Sequence, residues 1–470
     1  MSIRVIILWL YVIYFSVHAW RKSWFQSTCA FILALAFAFH EDIPPSLFGV
    51  PGLSLMNILL LNVIASWWKQ HQDQGLLWDA PSQLNRKLLF FFAVTLVSTF
   101  RLLINLDAFY AGSMSIEGDK IRLSDFIVEY LLDMIRYILP AFFIYVGCRT
   151  RKDAYLALFS ILGMYFFIGL QVVNYMPLQA LTMSGEELSK VSFKILKSTL
   201  GYSRVTASMV LSGASWAVLC TLPLAKNGYQ KTGLIIATGI IAFGQALTGG
   251  RMGYLTFGVI GVIIGMFKWR KMLIILLLVA IAVPIFVPAV RNRLMMGIES
   301  KNGQIITGED VSSGRTDVWP HVIQKIKERP LFGYGREAMM TSGLHRWVSI
   351  NVFGYPDFTH PHQAYLQFLF DNGVVGFLLA FQIFIFLVKQ SFSMMQSKLD
   401  PLIISIGGAE FSLVIALLVS SFTGQTFYVE HQSIGMWAMG ALMVRAMIER
   451  ERWREEETIS DRTSPIMQVN

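Results

Sequence analysis

Charge is what this chain has least of. Only 15 % of its 470 residues are Asp, Glu, Lys or Arg, 54 % are hydrophobic, and the mean hydropathy is +0.54. A soluble protein of this length would need far more polar surface to cover its core, so a soluble globular fold is excluded. Cysteine is as sparse: Cys29, Cys148 and Cys220 fall in or at the ends of apolar runs. They imply no disulfide framework, and no Cys/His metal spacing accompanies them. Also missing are an Asp-x-Asp triplet for a divalent metal on a nucleotide-sugar diphosphate, a Gly-Lys-Ser/Thr phosphate loop and a Rossmann glycine fingerprint. The net charge of +9 is modest and gives no reason to expect nucleic acid.

What is present is a series of apolar runs, many of them near the roughly 20 residues that a helix needs to cross a bilayer. They cover approximately 3–19, 24–39, 52–68, 88–105, 125–147, 154–174, 203–224, 231–249, 252–267, 272–290, 364–388, 402–422 and 433–447. The runs are continuously apolar and not alternating, which favours helices over a barrel. The expectation is an all-α polytopic membrane bundle of about 12–13 transmembrane helices with a partly helical periplasmic cap loop. The first run has no small-residue cleavage site and reads as a retained helix.

Basic turns at Arg149–Arg151–Lys152, Lys268–Arg270–Lys271 and Lys226/Lys231 orient the bundle when placed in the cytoplasm. Segments 40–51, 106–124, 175–202 and 291–362 then lie outside, and Arg4 falls outside too, against the rule. The chain divides into an N-terminal bundle (1–290), a large external loop (291–362), C-terminal helices (363–448) and a charged, mobile tail (449–470). Within the loop, Ser312–Ser313–Gly314 signals a helix start, Trp319, Val322, Ile323 and Ile326 recur at helical spacing, and Pro330 with Gly333–Tyr334–Gly335 stops it.

Three constellations could carry chemistry. Pro361 stands where a helix would begin, placing His362 in its first turn, beside free N–H groups that suit an anion such as pyrophosphate. A neutral His362 could take a proton from an attacking hydroxyl; the plainer alternative is that His360 and His362 cap a helix at headgroup level. Arg251 after Thr248–Gly249–Gly250, Arg204 after Gly201–Tyr202–Ser203, and Arg315 could together hold a lipid diphosphate bidentately. Alternatively, each arginine snorkels to ordinary headgroups. Glu129, Asp133 and Arg136 share a face at i, i+4, i+7, with Arg101 placed to pair with it and Asp371–Asn372–Gly373 deeper in the helix after His362. Ionisable groups at that depth should face a cavity or each other. Glu430 and His431, after Gln425–Thr426–Phe427–Tyr428, form a further acid/base pair.

Several of these segments form a recognisable series: Thr248–Gly249–Gly250–Arg251–Met252–Gly253, Gly314–Arg315–Thr316–Asp317–Val318–Trp319, Arg329–Pro330–Leu331–Phe332–Gly333–Tyr334–Gly335, His360–Pro361–His362–Gln363–Ala364–Tyr365–Leu366 and Asp371–Asn372–Gly373–Val374–Val375–Gly376. In order and spacing they resemble the O-antigen ligase and polymerase superfamily over roughly residues 200–390. The resemblance implies an inner-membrane glycosyltransferase with its site facing the periplasm. The donor would be an undecaprenyl-diphosphate-linked glycan, used without metal or cofactor. His362 would activate the acceptor hydroxyl, Arg251 and Arg204 would engage the diphosphate, and Arg315, His360, Gln363 and Tyr365 would contact substrate. Gln363 replaces the family's usual Asn and Gly250 its usual Ser. The acceptor could be lipid A–core (a ligase), a second lipid-linked glycan (a polymerase) or a protein. No arginine in 291–362 has the glycine sixteen residues later that is described for polymerases, which tilts the reading toward ligase. A lipid-linked glycan transporter or flippase, with Arg101, Glu129, Asp133 and Arg136 lining a path, is the reading from another class. No duplicated halves support it.

Overall fold

The structure, a computed structural model, describes residues 3–44, 46–47, 49–50, 52–75, 78–112, 123–295, 314–354, 358–398, 400–424 and 426–463. The Ser312–Ser313 start signal and Gln425 lie outside them. Each apolar run falls on a helix, and no β-strand occurs among the described residues. The chain opens with α1 (Ile3–Arg21), α2 (Trp24–Ala34) and α3 (Leu55–Gln70). α4 (Ser82–Leu103) turns by 73° into α5 (Leu106–Gly112). α6 (Leu123–Ile127) continues through a π-helical segment, Val128–Leu132, into α7 (Asp133–Gly147). Next come α8 (Arg151–Tyr175), α9 (Gly185–Thr199), α10 (Arg204–Leu219), α11 (Gly228–Leu247) and α12 (Arg251–Phe267). α13 (Arg270–Phe286) bends by 101° into α14 (Pro288–Met295). The cap holds α15 (Arg315–Glu328), α16 (Ala338–Thr341) and α17 (Leu344–Val348), and the chain closes with α18 (Ala364–Gln396), α19 (Pro401–Ser420) and α20 (Ile434–Thr463).

Local chemistry starts these helices where they start. Thr150 with Asp153 and Ser184 with Glu187 form capping boxes before α8 and α9, and Ser54, Ser203 and Asn227 cap α3, α10 and α11. Among the described residues, five helices are long and apolar enough to cross a bilayer unaided, or up to seven if each bent pair counts as one span; α2 with its 3₁₀ extension and α12 are shorter apolar helices. The chain is thus a multi-pass membrane protein. At its centre stands α10, buried along every residue from Thr206 to Leu219. Its Ser, Gly and Ala residues let neighbours approach closely: Gly213 meets Ala416 of α19 directly.

The two ends of the bundle differ. At one end Arg445, fully buried, binds Asp79 at 2.6 and 3.0 Å and Glu449 at 3.3 Å, while Trp453 donates to the Arg149 carbonyl at 3.1 Å. The tail expected to be mobile from residue 449 is instead, up to Trp453, the docked continuation of α20, because its tryptophan is buried between helices. At the other end Arg4 pairs with Asp42 at 3.3 Å and donates to the Tyr175 hydroxyl. That partnership accounts for an arginine at the end where a basic residue was not expected.

α18 is broken. Gly373 has φ +64°, ψ −176°, a conformation essentially open only to glycine. The break frees backbone groups, and the Pro330–Arg336 segment pairs with them. Tyr334 N donates to Phe370 O (3.0 Å), Gly335 N to Asp371 O (2.8 Å), Val374 N to Pro330 O (2.8 Å) and Val375 N to Leu331 O (3.1 Å). The two motifs therefore form one unit, in which unwound backbone inside an apolar helix is satisfied by protein. A Cβ on Gly373 would collide with the Leu331 carbonyl and Phe332 N. Gly373→Ala is expected to cost about 3 kcal/mol or more and to lower the melting temperature in detergent. Gly239→Ala, at a helical site with nothing within 4 Å of the new methyl, should leave it unchanged or raise it.

Candidate active site

The site is built from helix starts. Arg204, Arg251 and Arg315 are the first residues of α10, α12 and α15. α12 and α15 have glycine N-caps, Gly250 and Gly314, neither of which supplies a side-chain cap, so two helix N-termini with their partial positive charge face this region. α12 presses onto α10 because Gly250 and Gly253 leave room for Ser208, which a Cβ at either position would strike. Ser208 Oγ donates to Gly250 O at 3.2 Å and Ser212 Oγ to Gly253 O at 2.9 Å. This close packing is the physical use of glycine before Arg251.

The three arginines line one pocket of about 370 Å³, together with Arg293, Ser420 and Thr423. Arg293 is buried on α14, where its Nε donates to Gly249 O at 2.8 Å. Sequence reasoning missed this fourth arginine; the available signal was Pro284 and Pro288, which mark the bend that folds it back over the pocket. Arg204 donates to Ser189 Oγ on α9, and its buried Nε has no partner. The neighbours that weigh electrostatically on Arg204 include Arg251, and those on Arg293 include both. Burial and the same two cations hold the Arg315 guanidinium below its usual range. These mutual influences mark the pocket lining as strongly basic.

His362 stands at the rim. The expected placement in the first helical turn is corrected: α18 starts at Ala364, Gln363 is its N-cap, and His362 precedes it with φ +51°. The Gln363 side chain is spent on the cap, accepting from Leu366 N at 2.5 Å. The left-handed turn lets His362 lie against Gly424, the neighbour of pocket residue Thr423. Trp319 of the cap helix fixes the turn by donating to Pro361 O at 2.9 Å, and Val318 and Val322 are buried beside it. The His360 and His362 rings lie 4.1 Å apart, and Thr359 Oγ1 is 3.0 Å from His360 Nδ1. Burial, His360 and Arg315 push His362 down to about 3, so its imidazole is neutral at physiological pH. Burial and Arg315 also lower His360. Tyr365 turns away: its hydroxyl donates to Leu418 O at 2.7 Å and its ring packs among Phe381, Phe422 and Phe427.

The arginine pocket opens onto a much larger apolar groove of about 860 Å³ between α11, α12, α13 and α14, and Arg251, Leu255 and Leu294 line both. The expected face of Glu129, Asp133 and Arg136 is only partly paired. A π segment, Val128–Leu132, includes Glu129 and ends before Asp133; Glu129 is influenced electrostatically by Arg336 as well as by Asp133, and the ion pair that forms is Asp133 with Arg136 at 3.2 Å. Arg101 does not join them; it donates to the carbonyls of Phe332 and Gly333 and clamps the turn that fills the α18 break. Arg336, also missed, is buried between the Tyr130 and Tyr428 rings, 4.4 and 4.1 Å from their centres. Tyr428 donates to Asp371 at 2.9 Å and so ties the cap to the broken helix. Burial pushes Glu430 up to about 7, and His431 packs against Phe39, Tyr202 and Tyr137.

Fold and site together define a multi-pass helical membrane protein whose cation-lined pocket joins an apolar groove. Residues 236–381 match the model of a family described as O-antigen ligase, a stretch holding Arg251, Arg293, Arg315, His360 and His362, with Arg204 before it. Over that stretch the chain is similar to the O-antigen ligase family, and the match supports the O-antigen ligase and polymerase superfamily of membrane glycan ligases and polymerases. No curated protein matches the chain.

Proposed function

We propose that the chain is an inner-membrane glycosyltransferase acting at the periplasmic face, most simply a ligase that moves an undecaprenyl-diphosphate-linked glycan onto lipid A–core. The observation that carries this reading is the junction of the four-arginine pocket with the apolar groove. A polyprenyl chain would lie in the groove with its diphosphate among Arg204, Arg251, Arg293 and Arg315. The acceptor oxygen attacks the anomeric carbon from the face opposite the diphosphate, and the hydroxyl proton passes to His362. The bond from that carbon to the diphosphate oxygen breaks, and its electron pair leaves on the diphosphate, stabilised by the arginines. The configuration inverts. His360 and Arg315 hold the rim, and Gln363 acts by fixing the helix start behind His362.

A strain lacking the protein tests the product. If the ligase reading holds, free lipid-linked long chains accumulate, lipid A–core stays bare on gels, and the wild-type chain restores the ladder. Accumulation of single repeat units instead would make the chain a polymerase. A normal glycan profile in the deletion strain would contradict both.

A further inference from the structure

Transfer between two lipid-borne substrates needs two amphipathic sites, and the arginine pocket with its groove supplies one. A second pair of cavities lies at the same end of the bundle. One, of about 570 Å³, is an apolar groove between α1, α2 and α8, lined by residues such as Leu8, Leu33, Phe37 and Phe167. The other, of about 430 Å³, is lined by Phe39, Glu41, Asn57, Arg136, Tyr137 and Gly201 among others. His40 and Ile43 line both, so groove and pocket are continuous.

The chemistry of this pair differs from that of the first. Its cations are balanced: Arg4 pairs with Asp42 at 3.3 Å and Arg136 with Asp133 at 3.2 Å, while Glu41 adds an exposed carboxylate. Such a pocket does not select a diphosphate. Carboxylate, guanidinium and amide groups beside the rings of Phe39 and Tyr137 instead suit a saccharide, whose hydroxyls both donate and accept and whose C–H faces pack on aromatics. The turn before α10 separates the two sites. Gly201 lines the second pocket, Arg204 and Val205 line the first, and Thr206 Oγ1 meets Gln432 at 3.5 Å behind them.

We propose that the α1/α2/α8 groove and its polar pocket bind the acceptor, a lipid whose head is a hydroxyl-rich saccharide, with its acyl chains in the groove and its head beside the turn that carries Arg204. The assignment of the acceptor role rests on the transferase reading above. Donor and acceptor would then reach the bundle from different sides and meet across one turn of chain.

Purified protein in phosphatidylethanolamine/phosphatidylglycerol vesicles containing lipid A–core provides the test. Ile43→Trp plugs the junction of groove and pocket, and Glu41→Ala removes an exposed pocket carboxylate. Ile43→Trp should raise the KM for lipid A–core tenfold or more and Glu41→Ala severalfold, both leaving the KM for the lipid-diphosphate donor within twofold. A photo-crosslinking p-benzoyl-phenylalanine in place of Phe37 should capture lipid A–core in preference to the phospholipids. Capture of phospholipid in proportion to its abundance, or an unchanged acceptor KM in both variants, overturns the proposal. Crosslinking reads the site without turnover. Selective capture by a protein that transfers nothing would keep the saccharide-lipid site and refute the transferase reading instead.

Discussion

Arg251→Ala is expected to lower the rate of glycan transfer roughly 10²–10³-fold, about 2.7–4 kcal/mol of transition-state stabilisation. The magnitude follows from position. Arg251 opens α12 at an uncapped N-terminus, in the wall shared by the pocket and the apolar groove, where a lipid diphosphate would change from tail to charge. Negative charge grows on the diphosphate as the sugar leaves, and a guanidinium in a poorly solvated pocket acts on that growth more strongly than in water. Arg251→Lys keeps the charge but loses the planar fork, so an intermediate loss of about tenfold is expected. Initial rates with a fixed acceptor, and circular dichroism to verify folding, decide the matter. An Arg251→Ala enzyme within a few-fold of wild type would remove Arg251 from the site.

His362→Ala should cost roughly 10²–10⁴-fold, the usual range for a lost general base. The histidine also makes a pH prediction of definite sign. In the ligand-free protein, burial, His360 and Arg315 push it down to about 3, so it stays neutral and competent as the pH falls. The quotient kcat/KM, which reports the free enzyme, should therefore show no acid limb between about pH 5 and 8, where an ordinary histidine would give one. A bound diphosphate offsets the positive charge of Arg315 and favours the imidazolium. The acid limb of kcat should thus lie at higher pH than that of kcat/KM. Arg315→Gln removes the same cation permanently and should shift the kcat/KM limb upward. Coincident limbs near the unperturbed histidine value would contradict the geometry around His362.

Uninterrupted apolar runs made the helical membrane architecture legible, because each run needs only its own hydropathy to declare itself. The cap helix was legible for the same local reason: of the spaced residues Trp319, Val322, Ile323 and Ile326, Val322 and Ile326 pack inward, while Ile323 is exposed and Val318 takes the buried place. What escaped were features created by distant partners. Asp371–Asn372–Gly373 stood out as polar within an apolar run, but the break at Gly373 exists because Pro330–Arg336 pairs with the backbone there. Arg101 looked like the counter-ion of Glu129 and Asp133, but two carbonyls of a distant loop take it instead. Within the candidate site, spacing identified Arg204, Arg251 and Arg315, each announced by glycine or a capping serine at a helix start. Arg293 arrives by a 101° bend that hydropathy reads as one continuous run. Gln363 and Tyr365 share a motif with His362, but one caps α18 and the other packs into the bundle, which motif order does not reveal.

The central claim is that the four-arginine pocket and its groove hold a polyprenyl diphosphate. The direct measurement is binding of undecaprenyl diphosphate to the purified protein by native mass spectrometry, with wild type, Arg204→Ala and Arg251→Ala compared side by side and undecaprenol, which lacks the diphosphate, as the control lipid. The account predicts that wild type retains the diphosphate lipid at least tenfold better than either variant, while all three retain undecaprenol equally and weakly. Equal retention of the diphosphate lipid by all three proteins would contradict it.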